Sequence, residues 1–388
     1  MFLLQQGWGM LSAISPFLNN HTNSGVIISP RICEKDQLDK YLPEFKKIGK
    51  SKILFDPQFY EPRTDMDRIL SYPYFKNFDF NTGSFKAEDF CADVINYQKD
   101  YLGLDEIIIP GRFSNGIGEQ WLEMNYTFAK TASDIANHKI LYSTIAIGPD
   151  VISNNESFDS LIDEIINYPV QGIYLVFENR PNSYFIDEEM LYILLDAVLS
   201  ISLSGKKVLI GFGHQQHLAL YAAGMDMLAS GNWRNVRSFS LQNFTQQDNE
   251  NLRKAIWYFD GNSLGEYRLQ AISLAFRRGL GNLFGPVTDH AQELLISKNP
   301  GAVRWPQNEA FSHYLHLMHS FSNDINNIQK NQRAEYITDF FKQRSDVIKE
   351  LQKSGFSFGD RGFENACDWT IAALSAFLND RKLQIAKI

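Results

Sequence analysis

Short apolar runs alternate with longer segments of helical period along most of the chain, and this alternation constrains the fold more than any other feature. The runs are "GVIISP" (residues 25–30), "KILFDP" (52–57), "EIIIPG" (106–111), "KILYSTIAI" (139–147), "GIYLVFE" (172–178), "KVLIGFG" (207–213) and "DMLAS" (226–230). Between them, near 34–48, 88–102, 119–136, 157–167, 187–204 and 214–223, lie helix candidates. Strand–helix alternation of this kind is the pattern of βα units around a parallel sheet. Several runs are apolar throughout, as strands buried on both faces are. Seven strands are visible, and an eighth is expected in "AIWYFD" (255–260) or "VRSFS" (236–240). The chain reads as α/β: a (β/α)8 TIM-like barrel over residues 1–305, with additional C-terminal helices over 306–388 packed on it. The tail is expected to be helical from about 306 to 355, with a turn-rich break at 354–369 and a last helix over 369–380.

In such a barrel the chemistry sits where strands end and βα loops begin. Asp56, Arg112, Glu178, His214 and the stretch after residue 230 then converge on one rim. Asp56 ends a strand in "LFDPQFYEPRTD", where a carboxylate can stabilise positive charge developing on a sugar carbon or orient an attacking water. A turn-capping role ahead of Pro57 is its plain alternative. Glu178 ends the apolar "YLVFE" as a candidate general acid/base, or else pairs with Arg180 or Arg112. His214 follows the GxG of "GFGHQQH" at an expected helix start, where backbone N–H groups suit a phosphate or an oxyanion.

No nucleotide cofactor is implied, because neither a Walker lysine nor a complete GxGxxG is present. His214 and His217 lack a third ligand, and Cys33, Cys91 and Cys367 lie far apart, so no metal site and no disulfide framework are expected. The cysteine usage fits a reducing cytoplasm, and no apolar run reaches the ~18 residues of a membrane span.

"GNWRNVRSF" (231–239) follows the last apolar run with an unusual mixture: Trp233 offers a stacking surface, and Arg234, Asn235 and Arg237 offer phosphate or base-edge donors. The mixture suits a clamp for a flipped nucleotide. In the plain alternative, the tryptophan packs into the barrel mouth and the arginines pair with carboxylates. Asp226, just upstream, is a candidate for a base edge or a turn cap. A net charge of −8 argues against indiscriminate coating of nucleic acid but leaves room for a local basic cleft. Residues 231–280 hold seven Lys/Arg (Arg234, Arg237, Arg253, Lys254, Arg268, Arg277, Arg278) against four Asp/Glu (Asp248, Glu250, Asp260, Glu266). Two aromatic clusters, 57–62 and 71–80, are expected to be buried as cover for the barrel.

Three stretches together resemble the tRNA-guanine transglycosylases and their DNA-directed relatives. "LIGFGHQQHLALYAAGMDMLASGNWRNVRSF" (209–239) is similar to that family's strand, GxG turn, helix and G-x-D segment. "HYLHLMHSFSNDINNIQKNQRAEYITDFFKQR" (313–344) is similar to its C-terminal helical signature, and "KILFDPQFY" (52–60) to its strand ending in an aspartate before a substrate-binding turn. The resemblance implies a flipped-nucleotide substrate, with Gln58 and Tyr60 binding it behind Asp56. Two departures matter. Ala229 stands at the position of the family's covalent nucleophile, and the zinc-binding cysteines and histidine are missing. Without a nucleophile no covalent intermediate holds the sugar while a new base arrives. The expected activity is therefore hydrolytic: a DNA N-glycosylase that removes a modified base, DNA being favoured over tRNA. The resemblance extends to prokaryotic glycosylases that excise hypermodified bases from phage DNA. The alternatives are a base-exchanging transglycosylase using Asp56 or Asp226, and a non-catalytic barrel that binds modified nucleic acid.

Overall fold

The computed structural model describes the chain except for residues 50, 63–66, 80–82, 137 and 246–254. Arg253, Lys254, Asp248 and Glu250 therefore lie outside the described residues. Eight parallel strands form the barrel: β1 (Phe2–Gln5), β2 (Ser24–Ile28), β3 (Lys52–Phe55), β4 (Glu106–Ile108), β5 (Ile140–Ile147), β6 (Gly172–Phe177), β7 (Lys207–Ile210) and β8 (Met227–Ser230). They pair in the order β3-β2-β1-β8-β7-β6-β5-β4. β3 and β4 lie side by side without a ladder, so the barrel is nearly closed.

Period-two alternation explains why short, wholly apolar strands suffice. Phe2, Leu4, Val26, Ile28 and Phe55 face the surrounding helices, while Leu3, Ile27, Leu54, Tyr174, Leu209 and Ala229 face the interior. The longer helices are α1 (Leu11–Asn20), α2 (Lys35–Lys47), α3 (Ala87–Asn96), α4 (Glu119–Ile135), α5 (Asn155–Ile165), α6 (Glu188–Leu203), α7 (Leu269–Arg277), α8 (Gln307–Asn326), α9 (Arg333–Lys353) and α10 (Glu364–Ile385). α6 starts where the sequence marks it: the Asp187 side chain accepts from the Met190 N–H at 3.0 Å, and Glu188 and Glu189 fill the first turn.

All seven expected strands are present, but the eighth is neither expected segment. It is β1, which pairs in parallel with both β2 and β8 and so closes the sheet. Tyr258–Phe259 instead pairs antiparallel with Glu266–Tyr267, and Phe239 makes only a single bridge, to Glu178. The 214–223 segment is a 3-10 helix, Gln215–Ala223, buried along its whole length between β7 and β8 and ended by Gly224 in the left-handed region. α9 and α10 pack against it, and α10 also covers α6. The last helix starts at Glu364, earlier than the sequence suggests. The aromatic clusters are buried as expected: Phe59, Tyr60, Tyr72, Tyr74, Phe75 and Phe78 join the two cores. No helix among the described residues is long and apolar enough to cross a membrane.

Candidate functional site

At the C-terminal end of β3 the alternation that turns Leu54 inward turns Asp56 inward too. The carboxylate is 1% exposed and faces no cation among the described residues. Its Oδ1 accepts from the Gln58 N–H at 2.9 Å, and its Oδ2 accepts from the Tyr60 hydroxyl at 2.7 Å and the Tyr174 hydroxyl at 3.1 Å. Burial disfavours the anion more than these three donors favour it, and the carboxyl is pushed up to about 6. Gly211 makes the arrangement possible, since a Cβ there would lie 2.5 Å from the Tyr174 hydroxyl. Two bulky residues at this end sit at positive φ, Gln58 at 51° and Phe212 at 52°. Such backbone strain persists only where surrounding structure enforces it.

An aromatic cover closes over the carboxylate. Tyr60 meets Phe239 at 5.1 Å and Phe244 at 5.2 Å, Phe239 and Phe244 stack at 5.3 Å, and Phe212 packs edge-on against Phe239. Glu178, at the end of β6, anchors this cover: its Oε1 accepts from the Ser240 hydroxyl at 2.8 Å and the Leu241 N–H at 3.0 Å. It pairs with neither Arg180, which binds Asp187 at 2.6 Å, nor Arg112, which faces Glu61 at 3.8 Å. His214 is buried and stacked on Tyr184 at 4.6 Å. Its ring accepts from the Gln216 N–H, capping the 3-10 helix, and burial, then His217 and Arg234, hold its pKa well below the usual value. A neutral ring used as a cap is not free to bind a phosphate.

Beside the cover, over the end of β8, opens a cavity of about 530 Å³ lined by Trp233, Arg234, Asn235, Trp257, Arg268 and Arg361 among others. Arg234 lies 3.8 Å from the Tyr184 ring centre, and among the described residues its guanidinium has no hydrogen-bond or ion-pair partner. Arg361 and Arg268 flank the Trp257 ring at 4.2 and 5.1 Å. Glu266, 7% exposed, accepts from Arg237 at 2.6 Å and from Arg361 at 3.0 Å. Burial alone would raise its pKa, but the two arginines outweigh burial and lower it. The cover and the cavity share a wall, because Asn243 lines the cavity and the next residue, Phe244, packs on Tyr60. A second cavity, about 490 Å³ and lined by Trp8 and Phe17, lies across the Trp233–Phe311 pair, whose rings meet at 4.8 Å.

The structure thus brings Asp56, Gln58, Tyr60, Glu178 and His214 to one rim, with Trp233, Arg234 and Asn235 beside them. Arg112 is also at this end, stacked 5.5 Å over Phe59. Besides His214, two expected ligand contacts need correction. Arg237 is 4% exposed and fully committed, donating to the Gly231 and Asn232 carbonyls and Glu266 and lying over the Tyr314 ring. Asp226 precedes β8, and parallel strands put that position at the opposite, N-terminal end of the barrel. There it accepts from the Val208 N–H at 2.9 Å and pairs with Lys330 at 2.9 Å. Sequence reading missed Tyr174, Trp257 and Arg361 as site residues. Tyr174 sits mid-strand with no polar neighbour to mark it. Trp257 and Arg361 are separated by about a hundred residues and meet only in space.

No family model and no curated protein sequence matches the chain. Solved structures similar in outline include a GH10 xylanase of Thermobacillus composti, with TM-score 0.38 and 9% identity over 60% of this chain and 85% of that one. A GH10 protein from Paenibacillus barcinonensis gives 0.36 and 8% over 59% and 83%. A protein described as a fructose-1,6-biphosphate aldolase from Coccidioides immitis gives 0.35 and 9% over 92% of each chain. Likeness at these values carries no argument about chemistry, and the barrel rests on the strand pairing itself.

Proposed function

We propose that this barrel is an N-glycosylase acting on a nucleotide of DNA, with Asp56 as the reacting carboxylate and the β8 cavity as the seat of the flanking phosphate. One observation carries the reading. A buried carboxyl without a cation, at the chemically active end of a barrel, is costly to keep for structure alone. The surroundings supply the remaining parts. The rings over Asp56 have the stacking chemistry of a base, and Arg234, without an ion pair among the described residues, offers charge to phosphate oxygens together with Arg268 and Arg361. The cavity also falls within the range typical of small-ligand sites, roughly 300–1,000 Å³.

In the reaction, water attacks the sugar C1′ as the C1′–N bond breaks. The bonding electrons leave with the base, Asp56 stabilises the cationic sugar and takes a proton from the attacking water, and that proton passes from Asp56 to the departing base nitrogen, which leaves neutral and restores the carboxylate. Hydrolysis is favoured over base exchange because Ala229, where the resemblance puts a nucleophile, is a methyl group buried in the barrel interior. A second reading has its own support. The closed aromatic cover favours a barrel that binds modified nucleic acid without reacting. Incubation with unmodified and hypermodified phage DNA separates them: abasic sites and released base are expected from the enzyme, tight binding without either from the binder. Incorporation of an added free base into the DNA would instead indicate transglycosylation.

A further inference from the structure

The loops that leave β1 and β8 lie side by side, because these two strands are neighbours in the sheet. They pack closely: a Cβ on Gly7 would lie 2.6 Å from the Asn232 Oδ1. The β1 loop turns through Gly9 at φ 71° and sets out Trp8, which is 60% exposed; among the described residues no Phe, Tyr or Trp is more exposed. The indole is nonetheless held. The Arg68 guanidinium, itself 3.7 Å from Glu34, lies 4.6 Å from its ring centre and does not line the cavity of about 490 Å³ that Trp8 bounds. One face of the ring is thus backed by a cation, which leaves the other, among the described residues, to the cavity.

The two adjoining cavities differ in charge. The one over β8 is cationic, with Arg234, Arg237, Arg268 and Arg361 against Glu266 and Asp360. The one beside Trp8 has no Lys, Arg, Asp or Glu in its lining; Trp8, Trp233, Phe311 and the buried Phe17 supply rings, and Asn20 and Gln307 supply amides. Its two histidines add no unpaired charge near neutral pH, because burial pushes His21 down to about 4 and His290 pairs with Glu309 at 2.9 Å. Asn232, Trp233, Gln307 and Phe311 belong to both cavities, so a ligand leaving one enters the other across the Trp233–Phe311 pair. A ligand that fits both carries negative charge on one side of that pair and a neutral, flat, hydrogen-bonding group on the other. A nucleic-acid strand has this alternation, phosphate and then nucleoside.

We infer that the Trp8 cavity is the subsite for the nucleoside adjoining the reacting nucleotide on the same strand, with its base stacked on Trp8 and the connecting phosphate held by the arginines of the β8 cavity. The inference rests on the nucleic-acid reading of that cavity, but it does not need base release. It makes the recognised unit at least two consecutive nucleotides, both drawn out of any duplex stack. Every base has a flat face, so stacking here adds affinity without selecting a sequence.

The test is a cycle of two perturbations, one on the protein and one on the ligand. The full chain, Trp8→Ala and Trp8→Phe are titrated calorimetrically with a single-stranded trinucleotide of thymidine and with its two analogues that lack the 5′ or the 3′ base but keep every sugar and phosphate. Trp8 is exposed, so both variants should melt with the parent. Loss of one of the two flanking bases should weaken parent binding roughly 5- to 150-fold, the worth of stacking one base, and should change Trp8→Ala binding little. The intact trinucleotide should bind Trp8→Ala more weakly by the same factor, with Trp8→Phe between the two and the salt slope unchanged, because no phosphate contact is lost. Parent-like binding of the intact trinucleotide by Trp8→Ala overturns the inference, as does a loss of equal size for all three probes, or a parent that binds none of them. Trp8-dependent stacking without abasic sites in any DNA would remove the cleavage reading and keep this one. Base release by a parent that shows no such dependence would do the reverse.

Discussion

Arg237→Ala is the change that most sharply divides the clamp expected from sequence from the framework found in the structure. The guanidinium is 4% exposed and holds the chain in three places, through the carbonyls of Gly231 and Asn232 and the carboxylate of Glu266. It also lies 3.3 Å from the Tyr314 ring centre. Truncation leaves two carbonyls without a donor and Glu266 with Arg361 alone. Breaking one side of a buried charge pair costs about 3–5 kcal/mol. Unfolding entropy of about 2.1 cal/mol/K per residue gives roughly 0.8 kcal/mol per degree for a chain of this length, so the loss corresponds to about 4–6 °C in Tm. Scanning calorimetry at neutral pH should show it. Acid supplies a second check. The two arginines hold the Glu266 pKa below its ordinary value, so the stability from this contact is complete above the ordinary carboxylate range and lost as pH falls through the folded pKa. The gap between parent and variant should therefore narrow below about pH 4. A variant melting within about 1 °C of the parent, or a gap indifferent to acid, would refute the assignment of Arg237 to the framework.

Asp56→Asn should abolish base release, by at least about 10²-fold if an electrostatic contact to the sugar is lost, while leaving the chain folded; unchanged turnover would move the chemistry to Glu178. Its pH signature has the opposite sign to that of Glu266. Because burial raises the Asp56 pKa to about 6, the parent loses stability as pH rises from the unfolded value towards 6, so Asp56→Asn should gain up to about 3 kcal/mol on the parent at neutral pH and little at pH 4, as read by chemical denaturation. Arg234→Ala should leave Tm near the parent value but weaken DNA binding and reduce its salt slope by about one unit; a parent-like slope in a binding titration would exclude a phosphate contact. Gly211→Ala puts a Cβ 2.5 Å from the Tyr174 hydroxyl and should displace that phenol from Asp56, costing activity before stability; full activity would mean the Tyr174 bond is dispensable. Asp226→Asn should lower Tm modestly through its Lys330 pair and leave DNA binding intact.

Periodicity made much of the barrel legible. β2 to β8 are runs whose burial on both faces is written in their own residues, and the helices between them follow from apolar spacing and caps such as Asp187. Strand direction is equally local, so the placing of Asp56 and Glu178 at the C-terminal end of the barrel was readable; Asp226 begins its run rather than ending it, a signal that its expected place at a base edge overlooked. β1 was not, because "FLLQ" is too short to stand out and becomes a strand only through two neighbours, one of them more than two hundred residues away.

The roles of individual side chains were decided by the tertiary structure. Arg234 and Arg237 sit three residues apart in the same basic stretch, and nothing local distinguishes them. A turn of 3-10 helix aims one guanidinium into a cavity and the other back at its own chain, where Glu266 and Tyr314 close around it. Likewise Asp56 acquires its raised pKa from burial, which outweighs the opposing hydrogen bonds from Tyr60, Gln58 and Tyr174, groups that meet it only in the folded barrel. The sequence by itself determined which segments alternate, which residues end strands and where charge and aromatic rings accumulate, because backbone periodicity and turn chemistry act over a few residues. Only the tertiary structure decided which polar groups find partners and which line the cavity, because hydrogen bonds and desolvation depend on neighbours that the chain brings together from its whole length.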